Sequence, residues 1–216
     1  MKQKILGMLG AALLTASVAL AAPPADVQMV QVPRFEEGNS YLEMTYPDVT
    51  VMGNRVATAQ IRQYYANEQR ETQEFFNKQK EKAGSNSFVT ETKSYEVTHN
   101  DGNYLSIVES GEIYFGRDAH PTHWKKGTTF DVTTGKVVTW QEILKPGDEK
   151  YFTIKKINQA LFTSKYQLSS YFTGLTQLPE NYYLDKAGNI HFLFGLYEVA
   201  PYSTGIVDLN MMKRAK

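Results

Sequence analysis

Apolar and polar positions along the chain follow two periods, and the switches between them mark its elements. Pro23 to Ser40 has no clear period, although Val27 to Val32 admits one strand, whereas Tyr41 to Tyr46 alternates more cleanly with period two and Pro47 is expected to end that strand. The pattern then changes. Ile61, Tyr64, Tyr65, Thr72, Phe75, Phe76 and Gln79 recur at three- and four-residue steps, while Arg62, Glu68, Arg70, Glu71, Glu74, Lys78, Lys80 and Glu81 lie largely elsewhere on the wheel. This predicts a long helix from Arg55 to Lys82, capped by Asn54 and stopped at Gly84-Ser85-Asn86-Ser87. Its aromatic stripe fits a partner-binding face or a helix lying over a sheet, and the second is the expectation.

Phe88 to His99 and Tyr104 to Phe115 alternate again around Asn100-Asp101-Gly102-Asn103, which predicts a hairpin, with Gly111 marking a bulge or a close backbone approach. Phe130 to Val132 and Val137 to Thr139 predict a second hairpin turned at Gly135. Thr139-Trp140-Gln141-Glu142 has capping-box spacing and predicts a brief helix stopped by Pro146-Gly147. A second amphipathic helix is expected from Asp148 to Ser164, with Tyr151, Ile154, Ile157 and Leu161 inward. Tyr182 to Leu184 and Ile190 to Phe194 form a last hairpin, and Gly205 to Met211 one more strand. Hairpins and helices in separate blocks predict an α+β fold, with mainly antiparallel sheets and two long amphipathic helices packed on them in two small lobes. The lobes are expected at 22–100 (strand, helix, strand) and 101–216.

Composition narrows the class. With 42% hydrophobic and 12% aromatic residues the chain is neither disordered nor collagen-like, and without cysteine it has no disulfide or thiol nucleophile. Lys plus Arg and Asp plus Glu balance at 23 each, so no overall field selects nucleic acid or anionic lipid. Lys2 and Lys4 precede an uncharged stretch from Ile5 to Leu20, and Ala19-Leu20-Ala21 has the small-x-small form of a signal-peptidase site. Residues 1–21 therefore read as a signal peptide, cut after Ala21 because a cut one residue later would leave Pro23 first. The apolar run of 16 residues is short for a span, so the mature form is expected without one, exported to the periplasm or beyond. Loss of Lys2 and Lys4 leaves 21 basic against 23 acidic residues, a net charge of −2.

Three blocks carry a resemblance: Tyr114-Phe115-Gly116-Arg117-Asp118-Ala119-His120-Pro121, then Phe130-Asp131-Val132-Thr133-Thr134-Gly135-Lys136, then Phe194-Gly195-Leu196-Tyr197-Glu198-Val199-Ala200-Pro201-Tyr202-Ser203-Thr204-Gly205. In this order they resemble a bacterial extracytoplasmic domain of unknown function. That domain occurs in the outer, lysozyme-sensing part of RsiV-type anti-sigma factors and beside the catalytic domain of PdaC-type peptidoglycan deacetylases. The resemblance covers Tyr114 to Met211, and Tyr41 to the end of the first helix looks like the companion N-terminal domain. It departs at Arg117-Asp118, where the family carries Gly-Gly, so two side chains stand where the family has none. The chain is expected to correspond to the accessory module alone. The resemblance implies an exported, non-enzymatic envelope protein that binds a protein or glycan, with lysozyme or peptidoglycan as the partner.

No G-x-S-x-G, H-E-x-x-H or phosphate-cradling glycine loop occurs, and no cofactor is expected. Asp118, His120 and His123 are chemically suited to a metal, but they share one loop stiffened by Pro121, and a hydrogen-bonded His120 is the expectation instead. His120 with Glu198 suits an acid–base pair or a polar contact holding two loops together, and the contact is expected. Trp124, Tyr197, Tyr202, Tyr182 and Tyr183 offer flat amphipathic rings for a sugar or a protein, the strand tyrosines Tyr182 and Tyr183 less than the others. The candidate binding set is His120, Trp124, Tyr197, Glu198 and Tyr202, on loops expected to lie together, with no catalytic residue assigned. The alternatives are a small cell-wall glycan hydrolase using Glu198, Asp131 or Asp118 as acid and base, and a structural envelope scaffold.

Overall fold

The computed structural model describes residues 23–84 and 87–211. The expected leader, Ser85-Asn86 and the basic end Lys213 to Lys216 lie outside the described residues. The fold is α+β and layered. A six-stranded sheet is built from β1 (Asp26–Gln31), β2 (Phe35–Glu37), β3 (Ser40–Thr50), β4 (Val89–Asn100), β5 (Tyr104–Phe115) and β6 (Thr122–Asp131). Its order is β1-β3-β4-β5-β6, with β2 also on β3, and α1 (Arg55–Ala83) covers one face. A three-stranded sheet, β7 (Tyr182–Leu184), β8 (Ile190–Phe194) and β9 (Val207–Met211), forms a second layer with α2 (Ile154–Phe162).

Alternation along β5 fixes which layer lies where. Leu105 and Ile107 pack with Ala57, Ile61 and Tyr65 of α1, while the intervening Ser106 accepts the Leu184 N–H of β7 at 3.0 Å. The second sheet therefore docks on the face opposite α1. Close approach is built in at Gly127, where a Cβ would lie 1.9 Å from the Tyr182 carbonyl oxygen. Asn181 clamps the same seam, accepting from Gly127 N–H at 2.9 Å and donating to the Lys125 carbonyl at 2.8 Å.

Several expectations are corrected. Pro47 does not end its strand. The Val32 N–H to Met44 carbonyl bond marks 44 as a bonded position of the β1–β3 ladder, so Pro47, three residues on, has its nitrogen on the other side. Among the described residues that side has no strand partner beyond Met44, and Arg62 of α1 donates to the Val49 carbonyl there at 2.9 Å. The sheets are mainly antiparallel, as expected, while α1 is a crossover, so that Tyr41–Met44 pairs in parallel with Thr90–Lys93. Strands β4 and β5 pair from Val89–Phe115 to Asn100–Leu105.

The helices differ in detail from their patterns. Asn54 caps α1, its Oδ1 accepting Ala57 N–H at 3.0 Å, and the buried stripe is Ala57, Ile61, Tyr65, Thr72 and Phe76. Phe75, expected inside, is 46% exposed. Thr139 and Glu142 make the capping contact, yet only a turn follows, because Pro146 cannot donate to the Glu142 carbonyl and disfavours helix at Lys145. The second helix is short. It starts at Ile154 behind an N-cap at Thr153, and Tyr151 sits outside it in a 3₁₀ turn, exposed. The hairpin expected at Phe130 to Thr139 is present in short form: Phe130 bridges Val137, Val138 N–H donates to the Thr129 carbonyl at 2.9 Å and Asp131 N–H to the Lys136 carbonyl at 3.0 Å, with Gly135 at φ 74° in the turn.

Beneath α1 a polar band separates two apolar clusters, one around Ile61, Tyr65 and Phe130 and one around Phe76, Leu42 and Val89. Lys93 donates to Thr72 Oγ1 at 2.7 Å and pairs with Glu109 at 3.2 Å, and Glu68 receives Lys126 at 3.0 Å. Glu91 is buried in the same band, with Oε2 unpartnered.

Candidate functional site

The loop 116–121 joins β5 to β6. Its turn is closed by the Asp118 N–H to Phe115 carbonyl bond at 2.8 Å, and Tyr197 is the sole non-glycine at positive φ among the described residues. Arg117 and Asp118 thus occupy a turn that does not require glycine. His120 ends the loop with its Nδ1 at 3.1 Å from the Pro121 carbonyl. A carbonyl only accepts, so Nδ1 carries hydrogen and, in the neutral ring, Nε2 is left as acceptor.

The second loop, 195–205, meets it. Gly195 to Glu198 is a β-turn, with the Glu198 N–H on the Gly195 carbonyl at 3.2 Å. Tyr197 takes its third position at φ 65°, a place ordinarily held by glycine, and its ring is 62% exposed. Its hydroxyl reaches His120 Nε2 at 3.3 Å. Glu198 folds back, Oε2 accepting Gly195 N–H at 2.7 Å. Val199 and Ala200 anchor the loop in the core, and Tyr202 then stacks on the His120 ring at 3.8 Å between centroids while donating to the Pro121 carbonyl at 2.9 Å.

The structure therefore brings His120, Tyr197 and Tyr202 into one cluster with Glu198 on the adjoining residue. His123, on the same face of β6, lies 6.4 Å from the Tyr202 ring and pairs with Glu112. Trp124 is not among them. It lies in β6, not in a loop, and alternation turns it to the opposite face, where it covers Gly111 and donates to Glu109 Oε1 at 2.8 Å. Gly111 is the close approach its position suggested, a Cβ there falling 2.0 Å from the Trp124 ring, whereas the register shift of this strand pair lies at Val97/His99. His120 contacts the tyrosines and Glu198 contacts backbone, so the two do not form a hydrogen-bonded pair. Among the described residues no group of three or more His, Asp or Glu is placed to hold a metal ion.

Beside Tyr197 and Glu198 opens a groove of about 720 Å³ that pattern reading did not reveal. Its far wall is the segment 169–181, which has no regular secondary structure yet is tied down along its length. Asn158 of α2 donates to the Leu175 carbonyl at 3.0 Å and accepts its N–H at 2.7 Å. Trp140 Nε1 donates to the Pro179 carbonyl at 2.9 Å, and Ser169 N–H to the Val199 carbonyl at 3.0 Å. Tyr171 projects from this wall 92% exposed. The signal available in the sequence was length, since a long stretch without periodicity inside a compact fold is commonly functional.

A second polar constellation lies on the small sheet. His191 Nδ1 is 2.6 Å from Asp208 Oδ1 and Nε2 3.3 Å from Asp185 Oδ2, and Tyr183 donates to Asp208 Oδ2 at 2.7 Å. Burial opposes the charged imidazole, but the paired carboxylates outweigh it and hold the His191 pKa above its usual value. Asp208 is correspondingly held low: burial works against its charge, and the His191 and Tyr183 bonds prevail.

No protein-family model matches the chain, and no curated protein matches it in sequence. Among solved structures it is similar to a DUF3298 family member from Bacteroides fragilis, with a TM-score of 0.55 and 15% identity over 88% of this chain and 90% of that one. A DUF3298 family protein from Pseudomonas aeruginosa gives 0.48 and 15% over the same shares. The chain thus shares the fold of a domain of unknown function. Among the described residues no helix is long and apolar enough to cross a membrane.

Proposed function

We propose that the protein is an exported, non-enzymatic binding protein of the bacterial envelope that recognises cell-wall glycan through the Tyr197 face and its groove. The observation that carries this reading is Tyr197 itself. A large side chain is held at a positive φ with its ring in solvent, and such strain is retained where surrounding structure enforces it at functional positions. The His120–Tyr202 stack beneath it makes a rigid floor, and flat amphipathic rings beside hydroxyls and carboxylates suit sugars. Carboxylates considered for acid–base work are engaged locally: Asp131 accepts from Thr133 N–H at 2.7 Å, and Glu198 from Gly195. The leader-like N-terminus supports export.

The test is a co-sedimentation of the mature chain, 22–216, with purified peptidoglycan, beside a pull-down on lysozyme. Binding to the glycan, weakened ten-fold or more by Tyr197→Ala, is expected. Retention on lysozyme alone would replace the glycan by a protein ligand, and turnover of the glycan would replace binding by hydrolysis.

A further inference from the structure

Among the described residues the groove beside Tyr197 carries charge of one sign. Glu180 and Glu198 both line it, and the described lining includes no lysine, arginine or histidine. An anionic chain entering it meets two like charges without a counter-cation, whereas an ammonium group meets two carboxylates. Glu198 is set for this. Its Oε2 is fixed by the Gly195 N–H at 2.7 Å, which holds the carboxylate in one orientation and leaves Oε1 for an incoming donor. The wall opposite is pinned by Asn158 and Trp140, so little ordering remains to be done on binding.

The surroundings select among cationic ligands. Alongside the two acids the lining exposes more polar than apolar surface, with the hydroxyls of Ser169, Thr173 and Thr176 and the amide of Gln177 beside the apolar Leu178 and Pro179, and exposed tyrosine rings stand at Tyr171 and Tyr197. A basic peptide gains affinity mainly by seating side chains in apolar pockets, while a sugar chain gains it from hydroxyl and amide partners with rings against its faces. Resting on the glycan reading above, we infer that the groove prefers amino-sugar chains carrying free amines, with ammonium groups against Glu180 and Glu198 and a pyranose face on Tyr197.

Calorimetric titration of the mature chain with a glucosamine hexamer and with its fully N-acetylated counterpart tests this. At pH 5.5 and low salt the free-amine hexamer should bind at least ten-fold tighter, and the ratio should fall toward one in 0.5 M NaCl or at pH 9. In Glu180→Gln/Glu198→Gln the ratio should approach one, with the thermal transition checked to confirm folding. Equal affinities for the two hexamers, or a preference that survives in high salt and at pH 9, would overturn the amine preference while leaving glycan recognition intact. Binding of neither hexamer together with binding of an oligolysine peptide would overturn this inference in favour of a basic peptide. Failure to bind the hexamers and peptidoglycan alike would remove the glycan reading itself.

Discussion

Tyr197 and Glu91 show, at the scale of single residues, two kinds of local cost. The positive φ of Tyr197 is a conformation that glycine adopts freely, so Tyr197→Gly should raise stability by about 0.5–1 kcal/mol while removing the exposed ring. Chemical denaturation combined with a peptidoglycan-binding assay checks both signs, and a variant that is more stable yet binds undiminished would show that the ring plays no part. Glu91 is a cost of charge. Burial pushes its carboxyl up to about 7, the nearby Lys93 works against this, and Glu109 adds to it. Because the folded-state value lies above the unfolded one, the favourable contribution is complete below about 4.5 and is lost as pH rises toward 7. Glu91→Gln, which cannot ionise, should therefore stabilise the fold at pH 8 by roughly 2 kcal/mol and change little at pH 4. Urea melts at the two pH values measure this directly.

At the scale of elements, α1 is the place to compare pattern with packing. Phe75 and Phe76 lie about 100° apart on the wheel, but they follow Thr72 by three and four residues, so the step pattern alone admits both to the stripe. Packing separates them: Phe76 is fully buried with its ring edge-on to Phe35, while Phe75 faces solvent. Phe76→Ala should cost about 3–5 kcal/mol and Phe75→Ala well under 1 kcal/mol, as thermal or urea unfolding of the two variants would read out. Elements governed by local rules were legible in this way, among them the Asn54 cap, the β4–β5 hairpin and the strand at Ile190 to Phe194. Those governed by partners were not. Pro47 continues its strand because of where β1 and α1 lie, Trp124 belongs to β6 because β5 extends to meet it, and the Thr139 cap opens no helix because of Pro146. The candidate site divides likewise. His120, Tyr197 and Tyr202 could be named from ordered blocks of sequence, but the wall of the groove is held by Asn158 and Trp140, whose roles depend on tertiary contacts no period encodes.

For the whole molecule, the small sheet must stay docked for the Tyr197 loop to keep its place, since that loop lies between β8 and β9. His191 couples these strands through Asp208 of β9 and Asp185 of the β7–β8 turn, and the linkage has a definite sign. The His191 pKa is raised, so its contribution is complete below about 6.5 and is lost as pH climbs through the folded-state value. The pKa of Asp208 is lowered, so its contribution is present above about 3.8 and is lost as pH falls through the folded-state value. The lock is accordingly strongest between about 4 and 6.5. Asp208→Asn keeps the shape of the side chain but removes its charge, and with it the principal anionic partner of both His191 and Tyr183. Scanning calorimetry should show the variant's melting temperature depressed more at pH 5.5 than at pH 9, where less of the imidazole's charge is left to lose and an amide can still accept a hydrogen bond. An equal depression at both values would mean that Asp208 acts by packing alone, and that the docking of the small sheet is indifferent to the charge of His191.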